Sequence, residues 1–460
     1  MIRFYLALLS SKLLTFIYKL TGNRQNDRPG ILAHKICDDF LERIKKPETV
    51  ICVTGTNGKT TVSNLVSEIL IKDKKTVIYN DWGANMRAGV ARCLLDGVTI
   101  FNTRKKVDVA VLETDEITSN QIFPLVKPDY IIVTNLFRDS MHRNAHPYFV
   151  YNRINDYIPD KATLILNADD PISSMMGKDK KAIYYSIKKQ PFEENEENIV
   201  NDFRICPKCH STLKYDFIRY HHIGKVHCPN CDFKSVEASY IATKLDLKNY
   251  NMEVLHDKNK TTYKVASDSI FNAYNTLCAI TLLSEMGLSE EKIKKYLETT
   301  KIVASRYTTS IYKGIEVSTI ATKGLNAVGT TRVMDYIKGQ TGNIELIIVI
   351  DDTFDNKNGS EATCWIYDVD FEFLNKDNIK RIIVGGVRNK DYKLRLLLAG
   401  VPEEKIVCVE KEEDTYKSLK YKNIDKILIL HEVYYVTGAH NLKNKIKDVI
   451  MNNKEASKWK

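Results

Sequence analysis

The chain predicts an α/β protein built around a phosphate-loop domain, with a small cysteine ribbon inserted in it and a second α/β domain following. Three observations carry this reading. A buried-strand pattern, a glycine-turned loop and a helical pattern follow one another within residues 50–70. Strand-like apolar runs alternate with helical stretches along most of the remaining chain, the order that builds parallel sheets. Two Cys-x-x-Cys pairs interrupt that alternation between Cys206 and Cys231. A length of 460 residues suits about three domains. With 27% charged and 43% hydrophobic residues, the composition is that of a globular protein. The expected layout is an N-terminal helical segment (1–45), a central nucleotide-binding domain (46–301) carrying the ribbon (204–233), and a C-terminal α/β domain (302–460).

Met1 to Leu20 is apolar, with Arg3, Lys12 and Lys19 inside it. A signal peptide would show an unbroken apolar core and a small-residue cleavage site, and Ser10-Ser11-Lys12 interrupts any such core. No stretch reaches the roughly 20 apolar residues of a spanning helix. What remains is an amphipathic helix, packed on the protein or lying on a membrane. Ten cysteines would suggest disulfides in a small secreted domain, but no export signal is convincing and four of the ten fall in the paired motifs. Cys37, Cys52, Cys93, Cys278, Cys364 and Cys408 are scattered, as buried inert thiols are. A reducing cytoplasm fits, with the inner face of the membrane as a possible station. The net charge of +10 favours anionic partners, but the lysines are scattered as on solvated faces.

Val50 to Val53 is a short apolar run without alternation, as a strand covered on both faces shows. Gly55 and Gly58 follow in Thr54-Gly55-Thr56-Asn57-Gly58-Lys59-Thr60-Thr61. Lacking a Cβ, they let backbone N–H groups close on a phosphate. Lys59 is placed to reach the β/γ-phosphates and Thr60 to bind Mg²⁺. Val62, Leu65, Val66, Ile69 and Leu70 then recur at helical spacing. ATP is the expected ligand. Val53 stands where the general phosphate-loop pattern has its first glycine, so this is a shortened form.

Val107 to Leu112 is the next strand, and Glu113-Thr114-Asp115-Glu116 ends it on the same sheet edge. Mg²⁺ takes hard oxygen ligands shared with phosphates, which makes Glu113 the best candidate. Asp115 and Glu116 read equally as support for the site or as the start of a loop. Tyr130 to Val133 runs into Thr134-Asn135-Leu136-Phe137-Arg138-Asp139, and Leu164 to Leu166 into Asn167-Ala168-Asp169-Asp170. Alone these are turn and cap residues; together they line one crevice with polar groups.

Glu193 to Asn198 reads as an acidic loop. Cys206-Pro207-Lys208-Cys209 and Cys228-Pro229-Asn230-Cys231 then stand eighteen residues apart, the spacing of a four-thiolate zinc ribbon. Zn²⁺ wants four tetrahedral ligands in a structural site, and each knuckle supplies two. His210, His221, His222 and His227 lie nearby, but a complete cysteine set leaves them surface or supporting roles. Nothing around the ribbon is densely basic and aromatic together, which argues against nucleic acid. Asn272 to Met286 is a helix of the central domain. Leu346 to Ile350, Arg381 to Val384, Ile406 to Val409 and Ile427 to Leu430 are strands of the second α/β unit, and Tyr392 to Ala399 is one of its helices.

The motif T-G-T-N-G-K-T-T resembles the Mur ligase superfamily, which activates carboxylates with ATP. The strand end E-T-D-E, T-N-L-F-R-D and L-N-A-D-D-P strengthen that resemblance. The ribbon, with Gly385-Gly386-Val387-Arg388 followed by Asp391, Arg395 and Leu398-Ala399-Gly400, makes the ensemble similar to the MurT family within it. The resemblance spans Pro29 to about Gly400.

It implies an amidation. ATP phosphorylates the α-carboxyl of D-glutamate in the peptidoglycan stem peptide on lipid II, and ammonia displaces phosphate to leave D-isoglutamine. A separate glutaminase subunit of the GatD type supplies the ammonia. It also implies that Gly55 to Thr61 hold phosphates, that Glu113 holds Mg²⁺, and that Asn85 and Asn275 lie near the nucleotide, with Arg306 a further member. The family's C-terminal domain supplies an aspartate to the partner's Cys-His pair. Here that loop is longer, with Cys364 and Tyr367 where the family has Ser and Trp, and Asp352, Asp355 and Asp368 all remain candidates. The chain itself shows no glutaminase motif. A ligase joining an amino acid to a carboxylate, as folylpolyglutamate synthases do, and an ATP-bound scaffold whose ribbon recruits a partner are the competing readings.

Overall fold

The computed structural model describes residues 1–22, 26–80, 83–138, 146–193, 197–265, 269–300, 307–322, 324–350 and 363–453. The chain divides into two compact units. The first comprises Met1–Phe137, His146–Glu197 and Asn201–Val303; the second comprises Arg138–Ala145, Asn198–Val200 and Ala304–Lys460.

The first unit contains β1 (Thr49–Thr54), β2 (Val77–Tyr79), β3 (Val109–Glu113), β4 (Tyr130–Val133), β5 (Thr163–Asn167), β6 (Ala182–Ile187), β7 (Lys214–Tyr220), β8 (Ile223–His227), β9 (Tyr240–Asp246), β10 (Asn251–His256) and β11 (Asn259–Lys264). Nine of them form one sheet in the order β11-β10-β9-β6-β5-β4-β1-β3-β2. The strands from β2 to β9 in that order pair in parallel, and β9, β10 and β11 add an antiparallel flap. Val50 to Val53 are all buried, because helices cover both faces of a parallel sheet. Register sets Val53 beside Glu113 and Thr54 beside Val133, so the loops after β1, β3 and β4 emerge side by side. Switch-point sheets bind ligands at that carboxyl edge.

Phe4, Ala7, Leu8, Ser11 and Thr15 bury one face of the N-terminal helix Ile2–Leu20, with Phe4 stacked on Phe40 at 5.4 Å. The helix thus belongs to the first unit's core. Lys12 Nζ donates to Leu95 O and Val98 O, each at 2.7 Å, and partial burial with Lys105 nearby lowers its pKa to about 8. The ribbon is a hairpin, β7 against β8, set between its two knuckles. Phe203, Cys206, Leu213, Val226 and Cys228 join it to the same core. Among the described residues, no helix is long and apolar enough to cross a membrane.

The second unit holds β12 (Tyr307–Tyr312), β13 (Ile315–Thr322), β14 (Ile344–Val349), β15 (Ile379–Gly385), β16 (Ile406–Val409) and β17 (Lys426–Glu432). Their order is β12-β13-β17-β14-β15-β16, parallel except for the edge strand β12. Ile344 to Val349 are all buried, and apolar clusters fill both faces of the sheet.

Candidate functional site

The site is built on the turn from β1 into the helix Lys59–Lys72. Gly55 has φ 120° and Gly58 φ 91°, the left-handed region in which a side chain is strained. Both also pack too closely for a Cβ: one on Gly55 would overlap Thr134 Oγ1, and one on Gly58 would overlap Asn275 Oδ1. Gly58 caps the helix, whose first turn presents Thr60, exposed, and Thr61. Unpaired N–H groups and the helix dipole make that end receptive to an anion.

Thr134 and Asn135 brace the loop. Thr56 N–H donates to Asn135 O at 2.9 Å and Asn57 N–H to Asn135 Oδ1 at 3.0 Å. In return Asn135 Nδ2 and Thr134 Oγ1 donate to Asn57 O at 2.9 and 2.7 Å. Phe137 N–H donates to Thr56 Oγ1 at 2.9 Å. The residues read from sequence as a cap are the clamp that fixes the loop. Asn275, on the helix Ile270–Glu285, packs on Gly58 and donates to Asn272 Oδ1 at 3.3 Å.

Lys59 Nζ donates to Gly55 O at 2.5 Å and lies 3.0 Å from Glu116 Oε1. Burial alone would lower the lysine pKa. Glu116, then Glu113 and Asp115, outweigh it and hold the ammonium above its ordinary range. Glu116 is therefore part of the site, which its sequence context left open; only the fold shows that it faces Lys59.

Glu113 ends β3, buried. Its N–H donates to Asn80 Oδ1 at 2.8 Å, and Asn80 Nδ2 donates back to its carbonyl at 2.9 Å. Asn85 Nδ2 donates to Glu113 Oε1 at 3.3 Å, while Glu113 Oε2 is buried with no hydrogen-bond partner. A buried carboxylate oxygen without a partner is costly. A hard divalent cation is the group it fits.

Asp169 and Asp170, read from sequence as crevice-lining groups, are fully buried and serve the frame. Asp170 accepts from Leu136 N–H at 2.8 Å and Ile172 N–H at 3.0 Å. Asp169 accepts from Ile187 N–H at 2.8 Å and Tyr274 Oη at 2.7 Å, and pairs with Arg219 at 3.3 Å. Arg219 also pairs with Glu193 at 2.5 Å. Arg219 comes from β7, so the ribbon hairpin is pinned to the central sheet. His221 and His222, at the hairpin turn, are buried rather than at the surface, with His222 tilted over Phe137 at 4.6 Å. Sequence reasoning missed this because the partners lie far along the chain, Asp169 being fifty residues from Arg219.

The four ribbon thiols lie within 4.8 Å of one another. Lys208 N–H and Asn230 N–H each point at a sulfur, Cys206 and Cys228, at 3.4 Å. Backbone donors onto the first cysteine of each pair suit thiolates bound to a metal. In the second unit Asp368 ends a short helical turn, Thr363–Asp368, and pairs with Arg138 at 3.0 Å. Asp352, Asp355 and Arg306 lie outside the described residues.

Residues 53–231 match the Mur ligase middle domain and residues 324–435 the MurT ligase C-terminal domain. The chain is 34% identical over 406 residues to the lipid II isoglutaminyl synthase (glutamine-hydrolyzing) subunit MurT of Staphylococcus aureus strain COL, covering 88% of this chain and 90% of that one. The chain belongs to the MurT family. The Streptococcus pneumoniae MurT subunit is 30% identical, covering 92% and 93%. Among solved structures, a pseudomurein peptide ligase type C from Methanothermus fervidus superposes with TM-score 0.66 at 23% identity, covering 92% of this chain and 85% of that one. MurF from Acinetobacter baumannii does so with TM-score 0.60 at 13% identity, covering 92% and 80%. These two likenesses concern the fold. A member of the MurT family is an ATP-dependent ligase, and a braced phosphate loop with a buried lysine is the machinery such a ligase needs.

Proposed function

We propose that this MurT-family chain amidates the α-carboxyl of D-glutamate in the stem peptide of lipid II, using ATP and ammonia from a glutaminase subunit of the GatD type. The observation that carries the reading is Lys59, held as a cation between the phosphate loop and Glu116, beside the unpartnered oxygen of Glu113. The names of the relatives, which call them subunits of lipid II isoglutaminyl synthases, support the substrate class and a partner subunit.

A carboxylate is a poor electrophile because its charge is delocalised and its leaving group would be oxide. In the proposed sequence a carboxylate oxygen attacks the γ-phosphorus and ADP departs. Ammonia then attacks the acyl carbon, inorganic phosphate departs with that oxygen, and the nitrogen gives up one proton to the phosphate. Gly55, Thr56, Asn57, Gly58, Thr60 and Thr61 hold phosphate oxygens through backbone and hydroxyl donors, and Lys59 neutralises charge spreading over the transferring group. Thr60 and Glu113 hold Mg²⁺, which would neutralise phosphate charge when bound. Asn85 orients Glu113, and Asn275 fixes the loop at Gly58. Cys206, Cys209, Cys228 and Cys231 hold a structural Zn²⁺; a closed four-thiolate site leaves no position for substrate.

The test uses lipid II whose D-glutamate carboxyl carries oxygen-18, with ATP and ammonium. Label should appear in inorganic phosphate in step with the amide. Amide formed without label in phosphate removes the acyl phosphate; an amino acid joined in place of ammonia establishes the competing ligase.

A further inference from the structure

The N-terminal helix Ile2–Leu20 inverts the usual surface pattern. Its buried face is Phe4, Ala7, Leu8, Ser11 and Thr15. At about 3.6 residues per turn, the opposite face is Ile2, Leu6, Leu9, Leu13, Phe16, Ile17 and Leu20. These seven are exposed, from 45% for Ile17 to 87% for Ile2, and no charged residue lies among them. A surface helix of a globular protein carries polar residues there. So long an exposed apolar stripe marks an interaction site.

Charge frames the stripe. Arg3 flanks it on one side, and Lys12 and Lys19 on the other; the helix contains no acidic residue. Lys12 is turned inward onto Leu95 O and Val98 O, and Lys19 pairs with Asp96. The loop that Lys12 holds adds Ile100 and Phe101, 50% and 73% exposed, and then the exposed Arg104, Lys105 and Lys106. Near the helix start, Asp38 and Asp39 are paired with Arg87 and Arg43. The surroundings are an apolar strip with a net cationic rim.

We propose that this face seats the protein on an anionic lipid surface. The helix would lie in the plane of the interface, its apolar side chains among the acyl chains and its rim against the headgroups. It cannot stand across the bilayer, because it is not apolar enough and its other face is committed to the core. The cationic rim selects lipid over a second copy of the chain, whose rim would carry the same sign. The lipid-linked acceptor proposed above gives the seat a purpose, but the geometry does not depend on it.

The experiment is flotation of the full chain with vesicles that contain no lipid II. One set is phosphatidylcholine alone and the other has about a third phosphatidylglycerol. The native chain should float with the anionic set and bind the neutral set at least about tenfold more weakly. Leu9→Ser/Leu13→Glu/Phe16→Ser should lower anionic binding by at least about a hundredfold with an unchanged Tm, since the replaced side chains are exposed. Arg104→Gln/Lys105→Gln/Lys106→Gln should weaken it several-fold, mimicking raised salt. Absence of native binding, or a triple apolar variant that binds normally, overturns the proposal. So does light scattering that shows a dimer dissolved by the same variant, since the face would then belong to a second copy. Amidation of lipid II in detergent by the triple apolar variant should be unchanged, so the seat and the proposed reaction fail or survive separately.

Discussion

Lys59 is held where hydration is lost and carboxylates replace it. Its side chain is 13% exposed and that of Glu116 3%. Removing one member of such a pair leaves the other charge buried, which costs about 3–5 kcal/mol. Lys59→Ala should therefore lower stability in urea melts and also reduce ATP turnover by at least about a hundredfold. Lys59→Met/Glu116→Gln should recover most of the stability and none of the turnover. Equal stability of the single and double variants would show that the pair is uncoupled. The pH dependence has a definite sign. Because the fold raises the lysine pKa, the pair's contribution is fully present below the unfolded value of about 10.4. It is lost as pH rises through the higher folded value. Alkaline unfolding of the native chain should thus begin later than that of the double variant. Gly58 offers a second test. Gly58→Ala meets both a left-handed φ and the Asn275 side chain, so Gly58→Ala/Asn275→Ala relieves only the overlap. A residual cost of about 1–2 kcal/mol should remain in the double variant.

Elements were legible where the signal is local and hidden where it is tertiary. Val50 to Thr61 is a strand, a loop and a helix start within one stretch, and each reads without knowledge of the rest. The ribbon is likewise set by spacing along the chain. By contrast, the antiparallel flap β9–β11 is rich in lysine, threonine and asparagine, and only pairing with β6 makes strands of it. The edge strand β12 carries Thr308, Thr309 and Ser310, and likewise only its pairing with β13 makes a strand of it. The roles of Thr134, Asn135 and Asp170 as braces, and of Glu116 as the lysine's partner, need residues from the ends of β1, β3, β4 and β5 at once. The apolar run Met1–Leu20 announced a helix but not which face would be covered. Arg219 shows what this hides at the scale of an element: one side chain from β7 ties the ribbon to β6 and to Tyr274. Elemental analysis should find about one zinc per chain. Cys206→Ser should lose it and expose the β7–β8 amides to hydrogen exchange, while the amides of β1, β3 and β4 stay protected. Protein purified without chelator that contains no zinc would remove the assignment.

At the scale of the whole molecule, the proposed reaction needs ammonia, and the sequence shows no glutaminase motif that would release it from glutamine. Cys52 and Cys278 are buried, and burial pushes both thiols up, to about 12 for Cys278, the opposite of what a nucleophile needs. The ribbon thiols have a structural role under the zinc reading. The chain alone should therefore amidate with ammonium and not with glutamine, and a glutaminase subunit should switch glutamine use on. The aspartate that would complete the partner's Cys-His pair then becomes a matter of elimination. Asp368 is already engaged by Arg138 at 3.0 Å, and both are about three-quarters buried, Asp368 at 21% and Arg138 at 27% exposed. It would have to give up that pair to face a partner. Asp368→Asn should cost at most about 1 kcal/mol of stability, as partly exposed pairs do, and leave glutamine-driven amidation within a few-fold. Asp352→Asn or Asp355→Asn should depress glutamine-driven amidation by about a thousandfold or more, because a histidine without its orienting carboxylate loses tautomer and direction. Ammonium-driven amidation should survive in all three, since Lys59, Glu113 and Glu116 are untouched. A collapse of glutamine use in Asp368→Asn alone would return the role to Asp368. Loss of both activities together in every variant would mean that the loop serves the ligase reaction itself, and the division of labour between two subunits would have to be abandoned.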